Sequence, residues 1–395
     1  MSYFLDAARH GFHSSKRAAA VTVAGLVAGL ALTAPTAPAV AAAGPVTTPP
    51  TASDTPGMQR ALDQLVEDGA PGALLYSYDK GKVTALQSGL ADIASGTPMV
   101  PGSSYRIGSQ TKTYVATAVL QLVAQDRVHL GDPVSRYLPR LLAGHPRITV
   151  RQLLNHTSGL YEFNDDPRVL APYLEGDLGH VWTPRHLVRI ALSHKPVARP
   201  GTAYHYANTN YVLAGLMVQA VTGRGLGDVL RDRVFSKAHL DATTFTKART
   251  LPSPASHGYV ELPGDKQPTD ITSLYPYPWA SGATVSTAPD VARFYRHLLS
   301  GRVLPQRLMA AMRTTVDASG EDGPGTRYGL GLERFRTPCG AAWGHGGNFP
   351  GYVTYVYSSP SGGRQTVLMV NEDPSSLPRT FGPVFLRLLN QAYCR

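Results

Sequence analysis

The sequence predicts an α+β fold. One antiparallel sheet is built from both ends of the chain and flanked by helices, and the middle supplies an all-α lobe. Two observations predict it. Residues 72–78 and 83–89 are short apolar-aromatic runs around the turn-forming Asp79-Lys80-Gly81, and residues 352–357 and 365–371 repeat the pattern around a Ser/Pro/Gly-rich centre; each reads as a β-hairpin. Between them, apolar residues recur at helical rather than strand spacing. Strands at the two termini around a helical middle imply one sheet that the chain leaves and rejoins.

Taken in order, residues 1–43 read as a secretory signal peptide. Arg9, Lys16 and Arg17 form a positive n-region, 18–32 is apolar, and Ala39-Val40-Ala41 and Ala41-Ala42-Ala43 are small-x-small cleavage patterns. An uncleaved anchor is the alternative, but the apolar run is short for a span and is followed by Pro35 and Pro38. Residues 44–57, rich in Thr and Pro, read as an extended linker. Residues 58–395 then form the folded part, whose length suits two domains or one large unit with an inserted lobe; the paired terminal hairpins favour the latter. Residues 111–124 carry apolar side chains at Val115, Ala118, Val119, Leu122 and Val123, a stripe broad enough for a buried helix. A second apolar helix is expected over 210–221, stopped at Gly223, and amphipathic helices over 183–192 and 289–299 begin with proline in the first turn. Phe385, Leu386, Leu388 and Leu389 suggest a closing helix.

The formal net charge is +10, and the leader accounts for two of those charges. The basic residues are scattered and do not alternate with aromatics, so nucleic acid is a poor partner. With the leader removed, no stable membrane anchor is expected. The two cysteines, Cys339 and Cys394, have no close Cys or His partners, which argues against a metal or redox site. In an exported chain they are expected to form a disulfide, with two buried free thiols as the alternative. No metal or other cofactor is expected, and the protein is expected to be a monomer.

Three short stretches carry chemistry. Ser109-Gln110-Thr111-Lys112 opens the long apolar helix, and its spacing puts Lys112 on the face of Ser109, one turn further in. The helix N-terminus favours negative charge developing at Ser109. A second Ser-x-x-Lys, Ser77 to Lys80, falls in a hairpin turn and reads as surface structure. Tyr206-Ala207-Asn208 lies on a loop before the second apolar helix. A phenol needs a nearby cation to act as a base, and Lys112 is the candidate. Asn208 is placed to bond Lys112 and a substrate amide. Trp343-Gly344-His345-Gly346-Gly347 precedes a strand; its glycines permit close backbone approach, and His345 offers a donor or a switchable charge. Read separately, these are an N-cap serine with a surface lysine, a packed tyrosine with an Asx turn, and a glycine-rich turn. Their order and contexts make them one acyl-transfer site.

With these stretches, the chain resembles the penicillin-recognising serine hydrolases: class C β-lactamases, serine D-alanyl-D-alanine carboxypeptidases and related esterases. It looks closest to the exported carboxypeptidases of actinomycetes. The resemblance runs over most of 58–394 and includes Tyr105-Arg106-Ile107-Gly108-Ser109, the run from Ile148 to Leu160 containing Asn155-His156-Thr157-Ser158-Gly159, Tyr204-His205-Tyr206-Ala207-Asn208, and Tyr328-Gly329-Leu330-Gly331-Leu332. It implies a β-lactamase/transpeptidase-like fold and a secreted or cell-wall-associated enzyme. It also implies an acyl-enzyme at Ser109, with Lys112 or Tyr206 as base, and an oxyanion hole from the backbone N–H groups of Ser109 and Asn348. Asn208, Trp279, His345, Gly346 and Gly347 would bind substrate, and Trp279 would line the cleft. Cys339 and Cys394 are placed like a disulfide of that group. The leading expectation is a carboxypeptidase acting on peptidoglycan stem peptides and acylated by β-lactams. Alternatives on the same scaffold are an esterase or D-amino-acid amidase and a class C-like β-lactamase; a non-enzymatic β-lactam sensor is a different class. Two departures bear on the choice. Gly346 stands where the family has a hydroxyl residue. Glu333 stands where the carboxypeptidases carry an arginine for the substrate carboxylate, with Arg334 and Arg336 nearby.

Overall fold

A computed structural model of the protein describes residues 55–145, 147–261, 267–373, 377–378 and 380–395; the expected leader and residues 44–54 of the expected linker lie outside the described residues. The chain enters through helix α1, Thr55–Glu67, so the last residues of the expected linker are the first turn of a helix. Pro56 is tolerated there because a first-turn N–H has no intrahelical acceptor, and Met58, Leu62 and Leu65 form its buried stripe. Strands β1 (Gly72–Asp79) and β2 (Lys82–Asp92) pair antiparallel, with Asp79 opposite Lys82. That register leaves a two-residue turn in which Lys80 and Gly81 both take positive φ (46° and 97°), the turn that matches strand twist. Lys80 is exposed in the turn as expected, but Ser77 is buried in β1 and bonded to Thr366, so the second Ser-x-x-Lys is split between surface and sheet.

Seven further strands complete the sheet among the described residues: β3 Thr97–Pro98, β4 Val316–Asp317, β5 Arg327–Tyr328, β6 Glu333–Thr337, β7 Gly340–Phe349, β8 Tyr352–Ser358 and β9 Arg364–Val370. Their order is β3-β2-β1-β9-β8-β7-β6-β5-β4, so the first hairpin zips onto the last, as the termini predict. Side chains alternate between faces. Ala73, Leu75, Leu368 and Val370 meet α1 and the closing helix, while Leu74, Val356, Val367 and Met369 join the larger core beneath the helical lobe. Helix α2 (Thr111–Ala124), helix α3 (Asn208–Thr222, ending at the left-handed Gly223) and helix α4 (Ala288–Leu299, capped by Thr287) fall close to their expected bounds. Helix α5, Phe381–Tyr393, closes the chain against α1. The Cys339–Cys394 disulfide ties its end to the turn between β6 and β7. No described helix is long and apolar enough to cross a membrane.

Two features position the site. Beyond Gly344, β7 keeps its pairing with β8 but leaves β6, so 345–349 present an outer edge without a strand partner. The turn Gly108–Gln110, which starts α2, packs against that edge.

Candidate active site

Ser109 sits in the tight turn that leads into α2, and backbone contact with β7 fixes it there. Gly108 has φ +51°, and a Cβ on it would lie 2.5 Å from the carbonyl oxygen of Asn348 and 2.9 Å from its nitrogen; one on Gly347 would lie 2.2 Å from the carbonyl oxygen of Ile107. Both positions exclude any side chain, because two backbones meet there. The contact brings the Asn348 backbone beside the turn that carries Ser109.

Lys112 is fully buried. Its Nζ lies 2.9 Å from Ser109 Oγ, 2.7 Å from Asn208 Oδ1 and 3.0 Å from the Ser281 carbonyl. Burial pulls its pKa down to about 7, against the opposing pull of Glu162, Glu333 and Asp322. Asn208 is itself held by Glu162, a buried carboxylate. Its side-chain N–H donates to Glu162 Oε1 at 2.8 Å and its backbone N–H to Oε2.

Tyr206 lies over the same lysine, with Nζ 4.8 Å from its ring centroid. Its ring stacks on His156 at 4.3 Å, and its backbone N–H donates to Glu321 at 2.8 Å. His156 Nδ1 accepts from the Ala207 N–H and the Asn210 amide, each at 3.1 Å. The Asn155 to Gly159 stretch is thus the clamp for the Tyr206 loop. Burial drives the Tyr206 phenol well above its ordinary range, and a hydrogen bond with Ser109 opposes this only in part. Burial therefore sets the direction for the phenol: the dry site that disfavours an ammonium disfavours a phenolate too.

His345 is buried. Nδ1 donates to the Gly346 carbonyl and lies 3.1 Å from Glu333 Oε1, so Nε2 accepts from Tyr328 Oη at 2.8 Å. Burial, with the charge of Lys112, pulls it down to about 3, so it is a neutral, fixed member rather than a switchable charge. Glu333 curls over the free edge of β7. Its Oε2 accepts from the Gly346 N–H at 3.4 Å, and burial raises its carboxyl well above the ordinary range. A side chain at Gly346 would require the Tyr355 ring to move, since a Cβ would meet it at 2.8 Å.

Trp279 departs from the cleft-lining expectation. It is 6 % exposed and belongs to the core, edge-on to Phe245 and against Gly215 of α3. What its segment supplies to the site is the Ser281 carbonyl. Glu162, Tyr328, His156 and the Glu321–Asp322 loop received no role from sequence. Glu162, His156 and Tyr328 lie in or beside the motifs quoted above, whereas no motif pointed to the Glu321–Asp322 loop.

Fold and site together define a serine hydrolase of the β-lactamase/transpeptidase type. Residues 58–391 match the family described as Beta-lactamase, and the chain belongs to it. It is 29% identical to "Penicillin-binding protein 4" of Amycolatopsis lactamdurans over 338 residues, 79% of this chain and 84% of that one. Among solved structures it is similar to a D-stereospecific amidohydrolase from Streptomyces sp., with TM-score 0.75 and 37% identity over 81% of this chain and 95% of that one. It is also similar to the D-amino acid amidase of Ochrobactrum anthropi SV3 complexed with L-phenylalanine amide, with TM-score 0.75 and 28% identity over 85% and 97% of the two chains.

Proposed function

We propose that this protein is an exported serine amidohydrolase that forms an acyl-enzyme at Ser109 on D-amino-acid amides or esters, with leaving groups that carry no free carboxylate. The observation that carries the reading is Glu333. It holds the Gly346 N–H and stands beside His345, where a carboxypeptidase needs a cation. Glu162, Asp322 and Glu333 set carboxyl groups around Lys112, each raised by burial, so this wall of the site presents carboxyls rather than a cation to a leaving group and suits a substrate whose leaving group is neutral. Likeness to a D-stereospecific amidohydrolase and a D-amino acid amidase supports the same choice. The second reading is a D-alanyl-D-alanine carboxypeptidase, supported by likeness to a penicillin-binding protein. It requires the Glu333 carboxyl to give way to the substrate's.

The proposed steps follow from the hydrogen bonds. In the neutral amine, two N–H groups serve Asn208 Oδ1 and the Ser281 carbonyl, which only accept, so the lone pair faces Ser109. Lys112 takes the hydroxyl proton as Ser109 Oγ attacks the carbonyl. The N–H groups of Ser109 and Asn348 hold the oxyanion. Tyr206, a neutral phenol, donates its proton to the departing amine or alkoxide and regains one from the Lys112 ammonium. Water then resolves the acyl-enzyme.

A panel tests this. Purified protein and Ser109→Ala are given D-phenylalanine amide, a short aryl ester, a peptide ending in D-alanyl-D-alanine and a fluorescent penicillin. Ser109-dependent turnover of amide and ester is expected, with kcat/KM at least tenfold above that for the free-carboxylate peptide. Faster cleavage of that peptide establishes the carboxypeptidase instead, and turnover by Ser109→Ala removes the site.

A further inference from the structure

Resting on the acyl-transfer reading of Ser109, we infer that Glu162 is a positioning residue: by accepting both N–H groups of Asn208 it fixes the amide with Oδ1 toward Lys112, and so turns the lysine's lone pair onto Ser109. An asparagine amide presents an oxygen on one side and an NH2 on the other, and which side faces Lys112 decides what the lysine does. With oxygen facing it, Nζ donates there and to the Ser281 carbonyl, and only its lone pair is left for the serine hydroxyl. With NH2 facing it, the lone pair is consumed by the amide and Ser109 has no base.

Three donors converge on the Glu162 carboxylate: the Asn208 side-chain N–H at 2.8 Å, the Asn208 backbone N–H, and the Asn164 N–H at 3.3 Å. No acceptor among these partners would receive a carboxylic proton, so the acceptor-only ionised form fits. The segment is anchored to α3 on both sides. Thr209 Oγ1 donates to the Tyr161 carbonyl at 2.7 Å and accepts from the Phe163 N–H at 3.3 Å. Glu162 is buried and touches neither Ser109 nor Lys112 through a hydrogen bond; its effect passes through the amide.

The electrostatics give a second handle. Lys112 feels the carboxyls of Glu162, of Glu333 on β6 and of Asp322 in the loop between β4 and β5, and it faces the rings of Tyr206 and Tyr211. The neutral imidazoles of His156 and His345 lie within reach of its charge. Burial raises the Glu162 carboxyl; the two Asn208 hydrogen bonds and Lys112 oppose the rise, and Asp165 adds to it. Removing the Glu162 charge withdraws one group that raises the Lys112 pKa.

Glu162→Gln separates this role from mere packing. A glutamine offers one acceptor oxygen and one NH2 to three donors; with the oxygen on the backbone N–H groups, its NH2 turns the Asn208 amide over. The second-order rate of Ser109 acylation by a fluorescent penicillin, measured from pH 5 to 10, is expected to fall at least tenfold, toward the roughly 10²–10⁴-fold that a general base contributes. The rising limb of its pH profile moves to lower pH. The double variant Glu162→Gln/Asn208→Asp restores an acceptor facing Lys112 and puts the carboxylate nearer to it. Acylation recovers to within about tenfold of wild type, with the limb displaced to higher pH. Because the double variant re-pairs every group, it stands as the test if the single variant does not melt cooperatively. A single variant that acylates within threefold of wild type with an unmoved limb overturns the inference, as does a slow single variant with an unmoved limb that the double fails to rescue. If wild-type protein forms no adduct that Ser109→Ala lacks, the acyl-transfer reading falls first, and this one with it.

Discussion

Gly347→Ala tests how closely the sheet must approach the nucleophile. The added Cβ would lie 2.2 Å from the Ile107 carbonyl oxygen, a backbone atom two residues before Ser109, where contacts under 3.0 Å essentially never occur. Strand β7 must therefore retreat by about 0.8 Å or more. An oxyanion donor works at roughly 2.7–3.1 Å. Moved by that amount, the Asn348 N–H stands roughly 3.5–3.9 Å from the oxyanion, past hydrogen-bond reach. Loss of one such donor costs about 10²–10³-fold in kcat, or about 2.7–4 kcal/mol. The assay is the acylation rate and aryl-ester kcat of Gly347→Ala beside Gly346→Ala. In the control the new Cβ meets the Tyr355 ring, a side chain, at 2.8 Å, and a ring can swing where a backbone cannot. A loss of about 10²-fold or more is expected for the first and under about tenfold for the second, with thermal melts to separate a misplaced donor from an unfolded fraction. Gly347→Ala with a wild-type melt and acylation within threefold of wild type would refute the placement of Asn348 in the oxyanion hole.

Two further outcomes follow. With Lys112 lowered to about 7 and required neutral, acylation should climb with pH through about 7 and level off above it; a rate flat from pH 5 to 9 would exclude Lys112 as the base. Replacing both Cys339 and Cys394 by serine opens a crosslink spanning 55 residues, which loop-closure entropy puts at up to about 4 kcal/mol of stability, read as a lower denaturant midpoint; an unchanged midpoint would show that the closure contributes nothing.

Much of this was legible in the chain, for reasons that can be named. Helix α2 is found to the residue because its apolar stripe is local, and the hairpins because Lys80-Gly81 can turn and the runs beside it alternate. Ser109, Lys112, Tyr206 and Asn208 carry short-range motifs, and the structure brings them together. Helix α1 was hidden by the Thr/Pro composition before it, although Met58, Leu62 and Leu65 carry its period. Glu162 and the Ser281 carbonyl were illegible for a different reason. Their partners, Asn208 and Lys112, lie 46 and 169 residues away, and no local pattern encodes such a contact. Trp279 was misplaced because an aromatic beside glycine reads alike whether it faces a cleft or the core.

The two departures at the end of β7 are one structural unit, and this limits how the substrate preference can be altered. A serine or threonine at 346 would drive its Cβ into the Tyr355 ring at 2.8 Å, and that ring is packed against Phe335 and against Phe385 of α5. The missing hydroxyl therefore cannot be restored without moving a ring held by β6 and the closing helix. Glu333, in turn, satisfies the Gly346 N–H and stands against His345, whose Nε2 is already taken by Tyr328. An arginine at 333 would put a buried cation beside the neutral His345 with no carboxylate to meet it, and would remove one of the groups that support the Lys112 charge. The same substitution that would invite a substrate carboxylate thus perturbs the proposed base that takes the Ser109 proton. On the proposed reading, recognition and acylation share Glu333, so a change of leaving-group preference requires residues 333, 346 and 355 to change together.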